Sequence, residues 1–121
     1  NYSILPWVLQ ATPDTIQVPL FMDIYEPVGD TVSERPLILF GITGTFFPAY
    51  VNGGFVGERN DTTNIRFATE MAKKGYVVGV VQYRRGWLAG ASAIAQQKTI
   101  LQAAYRGIQD VRTAVRYMKK N

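Results

Sequence analysis

Cysteine and histidine are both absent from the 121 residues of this chain. Without cysteine there is no disulfide framework and no thiolate chemistry, and the redox compartment leaves no mark on the sequence. Without histidine no Ser-His-Asp triad, no Cys-His pair and no imidazole metal site is complete within the chain. Long apolar runs are also missing, so nothing approaches a membrane span. The first residues, N-Y-S-I-L-P-W, lack the basic start and apolar core of a signal peptide, so an exported protein would have shed one already. Glycines at 41, 44, 53, 54 and 57 do not make a phosphate-binding fingerprint, and no nucleotide site is expected.

What is present is an ordinary globular balance, with 47% apolar and 18% charged residues. The length suits one domain with a real core. The net charge of +4 is unevenly placed: residues 61–121 hold eleven of the 13 basic side chains. A basic half can signal nucleic acid. Here the basic residues recur at helical intervals without clustering, which predicts the wet faces of helices and no nucleic-acid partner.

Ile16 to Tyr25 reads as a strand, with Pro19 marking an edge or a bulge. A polar turn follows from Glu26 to Arg35. Leu37 to Phe40 is a continuous apolar run that suits a buried strand. Residues 41–60 form a long loop, and a loop of that length in a compact domain is usually functional. Asp61 or Thr62 caps a helix whose apolar stripe is Ile65, Ala68, Met71 and Ala72, and Gly75 ends it. Tyr76 to Tyr83 is a second buried strand, rich in β-branched residues. Arg84 to Ser92 is a loop. The final segment is a strong helix, in which Ile100, Leu101, Ala104, Tyr105, Ile108, Val111, Val115 and Met118 recur at helical spacing. Gly107 inside it implies close packing against a neighbour, the sheet being the expected one.

Strands alternating with helices predict an α/β class with a mostly parallel sheet and crossover helices. Leu37–Phe40 and Tyr76–Tyr83 are the one clear parallel pair, and the last helix is of the kind that feeds a further strand. The expectation is therefore part of one domain, with an N-terminal segment at 1–15 and the strands and helices at 16–121. The edge after Tyr76–Tyr83 is expected to lack its partner strand.

M-D-I-Y-E-P (22–27), R-P-L-I-L-F (35–40), K-K-G-Y-V-V (73–78), Q-Y-R-R-G-W (82–87) and A-A-Y-R-G-I-Q-D-V-R-T-A-V-R-Y-M-K-K-N (103–121) together resemble the N-terminal half of an α/β-hydrolase fold. The nearest branch is the carboxylesterase-like group found among secreted proteins of Bacteroidota. The resemblance runs from about Ile16 onward, and it rests on the order and spacing of motifs that are individually short. It implies that the loop after Leu37–Phe40 supplies part of an oxyanion hole, with the Gly44 and Thr45 backbone N–H groups as donors. Ile42 stands where the family has histidine, and Thr43 where one form of the motif has glycine.

The family's nucleophile, acid and histidine follow the helix seen here, so no catalytic residue is assigned within the chain, which alone is not competent. The implied function is a carboxylesterase-like hydrolase fragment acting on a small acyl or ester substrate, without metal or other cofactor. Its partner is the remainder of the hydrolase domain, its location the cell surface or outside the cell. The alternative is a non-catalytic secreted binding or structural module, which the loss of the loop's histidine and glycine supports. Phe46, Phe47 and Trp87 are candidates to line a pocket, since they lie beyond the C-terminal ends of strands, where ligands of open α/β sheets bind. Core packing is the equal alternative for them. Asp110 and Arg84 read as an ion pair or cap tying the last helix to a strand end.

Overall fold

A computed structural model describes residues 2–3, 16–17, 19–29, 31–47 and 57–120. The elements in order are β1 (Tyr2–Ser3), β2 (Ile16–Gln17), β3 (Met22–Tyr25), β4 (Leu37–Gly41), α1 (Thr62–Lys73), β5 (Val77–Val81) and α2 (Ala93–Lys120). β1 and β2 form a short antiparallel pair. The main sheet has three strands in the order β3-β5-β4.

That sheet corrects the expectation of a mostly parallel one. β3 runs antiparallel to β5, with Met22 opposite Val81 and Tyr25 opposite Val78. Only β4 and β5 are parallel, from Leu37 beside Val77 to Gly41 beside Val81. The physical reason lies in the connections. Parallel neighbours need a long crossover, and only α1 provides one between described strands of this sheet. The segment from Glu26 to Pro36 has no helical periodicity and, among its described residues, carries no helix, and it delivers β4 in the opposite sense to β3. The single long strand expected from Ile16 to Tyr25 also divides: Pro19 follows β2 and cannot donate to a ladder, and pairing resumes only at Met22.

β5 is the central strand, not an edge. Its Val78, Val80 and Val81 are buried, as a strand paired on both sides and covered on both faces requires. Among the described residues, the outer edge of β4 meets no strand, so the open edge expected beside Tyr76–Tyr83 belongs to Leu37–Gly41 instead.

Alternation sends successive side chains to opposite faces. On one face Val78 and Val80 pack with Ile38, Phe40 and Tyr25 against Ala68 and Met71 of α1. The Phe40 and Phe67 rings lie 4.9 Å apart. On the other face sits Gly79, where a Cβ would come within 2.7 Å of Leu39 Cδ2 and 3.0 Å of Met22 Sδ. The two neighbouring side chains close over the glycine, and α2 crosses β4 on this face, with Met118, Leu37 and Val77 lining one groove and Leu37 and Ile24 still exposed. The result is a helix, sheet, helix sandwich.

Both ends of α1 follow from local chemistry. The Asp61 carboxylate turns back to accept from the Gly57 N–H at 2.6 Å and the Glu58 N–H at 3.1 Å, so it stabilises the entry loop and makes no side-chain cap. At the other end Gly75 takes φ +95°, its N–H reaching Ala72 O at 2.9 Å and the Tyr76 N–H reaching Met71 O at 3.2 Å. This pair of bonds is a Schellman cap, and the left-handed residue within it favours glycine.

Candidate functional site

The C-terminal ends of the parallel pair converge on two loops, 42–47 and 82–92. Ile42 opens the first. Its N–H donates to Val81 O at 3.2 Å, which extends the ladder by one residue, and its side chain is 2% exposed. The position where the resemblance expects an imidazole is therefore part of the apolar core.

Gly44, Thr45 and Phe46 follow with φ of 126°, 54° and 60°. Consecutive left-handed residues are unusual. Glycine carries no penalty there, but for each other residue the conformation costs about 1–2 kcal/mol. The cost is tolerated because the loop is fastened at several points. The Phe47 N–H closes a turn on Gly44 O at 2.9 Å, and the Gly86 N–H donates to Phe46 O at 2.7 Å. Trp87 Nε1 donates to Thr45 O at 3.1 Å. The Phe47 and Trp87 rings stack at 5.0 Å, and the Phe46 and Tyr83 rings meet at 5.3 Å. Among the described residues the Gly44, Thr45 and Phe46 N–H groups meet no acceptor.

The three aromatic candidates thus divide. Phe46 points inward, against Tyr83 and the space left by Gly107, where a Cβ would lie 3.0 Å from its Cε1. Phe47 and Trp87 form an outer stack beside the loop. The glycine in α2 does mark close packing, as its sequence context implies, but its neighbours are two aromatic rings beyond the strand ends.

The second loop is held by buried charge. The Asp110 carboxylate accepts from the Arg84 N–H at 2.8 Å, from Arg84 Nε at 3.0 Å and from Arg84 Nη2 at 2.8 Å. Asp110 is buried within α2, so this pair pins the helix to the end of β5, in agreement with the structural role read from the sequence. Arg106 lies alongside, donating from Nη2 to Gly86 O at 2.8 Å. Burial is the main cause that lowers its pKa, with Arg84 adding to the effect and Asp110 opposing it. Burial likewise raises the Tyr83 phenol, against a smaller opposing pull from Arg85.

Sequence reasoning missed the polar knot that carries the chain back into α1. Arg85 donates to Gly57 O at 2.5 Å and pairs with Glu58 at 2.6 Å. The buried Asn64 donates to Glu58 O at 2.7 Å. Arg59 pairs with Asp23 and lies over the Phe21 ring. Nothing in the spacing of these residues announces the set, because its members come from three separate segments.

A half-open groove of about 360 Å³ runs between β3 and α2, lined by Phe21, Met22, Ile24, Gln82, Ala114 and Tyr117 among others. It lies away from the strained loop, and Gly44, Thr45 and the three candidate aromatics do not line it. Among the described residues no helix is long and apolar enough to cross a membrane, and no group of acidic, histidine or cysteine side chains is placed to hold a metal ion. Compared with known proteins, the chain matches no family model, no curated protein and no solved structure.

Proposed function

We propose that residues 43–47 form an oxyanion-type element of a carboxylesterase-like hydrolase, whose nucleophile and histidine lie outside this chain. The observation that carries the reading is the run of left-handed residues from Gly44 to Phe46 at the end of a parallel strand. Two of the three are not glycine, and strain of this kind concentrates at functional sites. Successive N–H groups in such a turn make a concave donor set suited to a developing negative oxygen. Gly44 and Thr45 are the donors in this proposal, and Phe47 stacked on Trp87 forms the wall beside the acyl group. The sequence resemblance gives the class of reaction, attack on a small ester by a serine supplied by the rest of the domain. The open edge of β4 is where that remainder would add its strand. A cell-surface or extracellular setting belongs to the same proposal.

The test is hydrolysis of a short-chain nitrophenyl ester by the full protein. Gly44→Ala places a Cβ at φ 126° and displaces the donors. Loss of one oxyanion donor lowers kcat by about 10²–10³ with little change in KM. Thr45→Gly keeps every N–H, so it should lower kcat far less than Gly44→Ala does. Unaltered kcat in Gly44→Ala would overturn the donor assignment.

A second reading has its own support. Ile42 is core, so the loop's first position offers no polar group to a substrate or a neighbouring donor. That favours a non-catalytic secreted binding or structural module. Failure of the full protein both to hydrolyse esters and to be labelled by a fluorophosphonate would favour the module.

A further inference from the structure

The face of α2 turned away from the sheet has its own periodicity. Ile94, Leu101, Ile108 and Val115 recur every seven residues. Lys98, Tyr105, Arg112 and Lys119 recur likewise, each four residues after one of the first set. The first set makes a narrow apolar stripe along the outer face, and the second, basic at three of its four positions, runs beside it, so only one of the two seam positions of a left-handed two-helix pairing is apolar here and the other is cationic. The buried residues Thr99, Ala103, Gly107 and Asp110 lie on the opposite side.

This seam is open. Ile94 is 80% exposed, Leu101 70%, Tyr105 63% and Ile108 58%. The order of the values has a geometric cause. A strict seven-residue repeat drifts about 20° per heptad around a straight helix. From Ile94 to Val115 the stripe winds toward the sheet, and Val115 is already half-buried. A partner wrapping with a left-handed twist would follow that drift.

Charge decides what kind of partner fits. α2 carries six basic residues and one acid, Asp110, which is buried against Arg84. Three cations sit within the seam itself, and Arg116 and Lys120 are exposed on the same helix. A second copy would bring cations against cations, which disfavours self-association through this face. We propose that the outer face of α2 docks an amphipathic helix from another polypeptide, one with aliphatic residues in its seam and glutamate or aspartate facing Lys98, Arg112 and Lys119. The proposal concerns the outward face only and does not depend on ester chemistry at the strand ends.

The experiment uses the full protein and a fluorescent four-heptad peptide with leucine seams and glutamate at the facing positions. Anisotropy should show saturable binding. Leu101→Glu should weaken it about tenfold or more, as for an anchor at the centre of an interface. The triple variant Lys98→Glu, Arg112→Glu, Lys119→Glu should lose the acidic peptide and gain a peptide with lysine at the facing positions. All four positions are exposed, so circular dichroism and the melting temperature should hold, and the swapped pair guards against a folding artefact. Absence of binding would overturn the proposal. So would equal binding by Leu101→Glu, or a dimer of the free protein that the same variants dissolve. Binding to phosphatidylglycerol vesicles in place of the peptide would overturn it in favour of a membrane surface.

Discussion

Asp110→Ala is expected to be the most damaging single substitution in α2. The carboxylate side chain is 4% exposed and the Arg84 side chain 14%. It accepts from one backbone N–H and from two nitrogens of the guanidinium. Removing one partner of a buried, hydrogen-bonded pair costs about 3–5 kcal/mol, because the other charge stays desolvated. The slight access of water to Arg84 argues for the lower end, near 3 kcal/mol. Arg106 makes the loss worse, since Asp110 is the anion that offsets the mutual repulsion of the two arginines. For a urea slope of about 1.5 kcal/mol/M the midpoint should fall by roughly 2 M. Urea unfolding followed by tryptophan fluorescence measures it. Adding salt should change the deficit little, since a buried pair is weakly screened. Arg84→Met in the Asp110→Ala background should recover part of the loss, because the desolvated charge that Asp110 had offset is gone. A deficit under about 1 kcal/mol, or no coupling between the two positions, would refute the buried-pair argument.

Thr45→Gly should stabilise by up to about 1 kcal/mol in the same assay, since relief of the left-handed strain outweighs the freedom gained by the unfolded chain. Gly107→Ala should destabilise by about 1 kcal/mol: better helix propensity is outweighed by overpacking against Phe46 and Tyr83, and a more stable variant would sink the idea of a required close approach. Alkaline pH should unfold the protein partly through Tyr83. Burial raises its folded pKa, so the contribution is intact below the ordinary tyrosine value of about 10 and is lost as pH rises past it. Tyr83→Phe should flatten the alkaline limb of the stability profile, and an unchanged limb would exclude Tyr83 as its source.

Local chemistry was largely legible in the sequence. The Gly75 end of α1, the valine run of β5 and the apolar run of β4 each state their element through a few adjacent residues, whereas Asp61 marks the start of α1 without the side-chain cap its identity suggests. The parallel pairing of Leu37–Phe40 with Tyr76–Tyr83 was legible through the helix between them, but the direction of Met22–Tyr25 was not, because a short strand reads the same in either sense. Direction was decided by the polar segment after Tyr25, which reverses the chain without a helix. The periodicity of α2 identified the helix but not its buried side: small and polar residues face the sheet while Leu101, Tyr105 and Ile108 face out. That inversion follows from how close α2 must come to Phe46 and Tyr83, which leaves room only for Ala103 and Gly107. At the strand ends the glycines and threonines marked a special loop, and the aromatic stack that fastens it joins Phe47 to Trp87, forty positions further along the chain. No local pattern records such a pairing.

The place of β5 also sets an order of events. It is the last of the three strands to leave the ribosome and the only one that touches both others. Until Val77–Val81 emerges, Met22–Tyr25 and Leu37–Gly41 have no ladder to join, and Leu39 and Met22 have no glycine to close over. Assembly therefore waits on contacts distant in sequence, which makes sheet formation slow relative to the helices. A nascent chain arrested before residue 77 should remain protease-sensitive over residues 22–41, and protection there should begin only once Val77–Val81 has emerged.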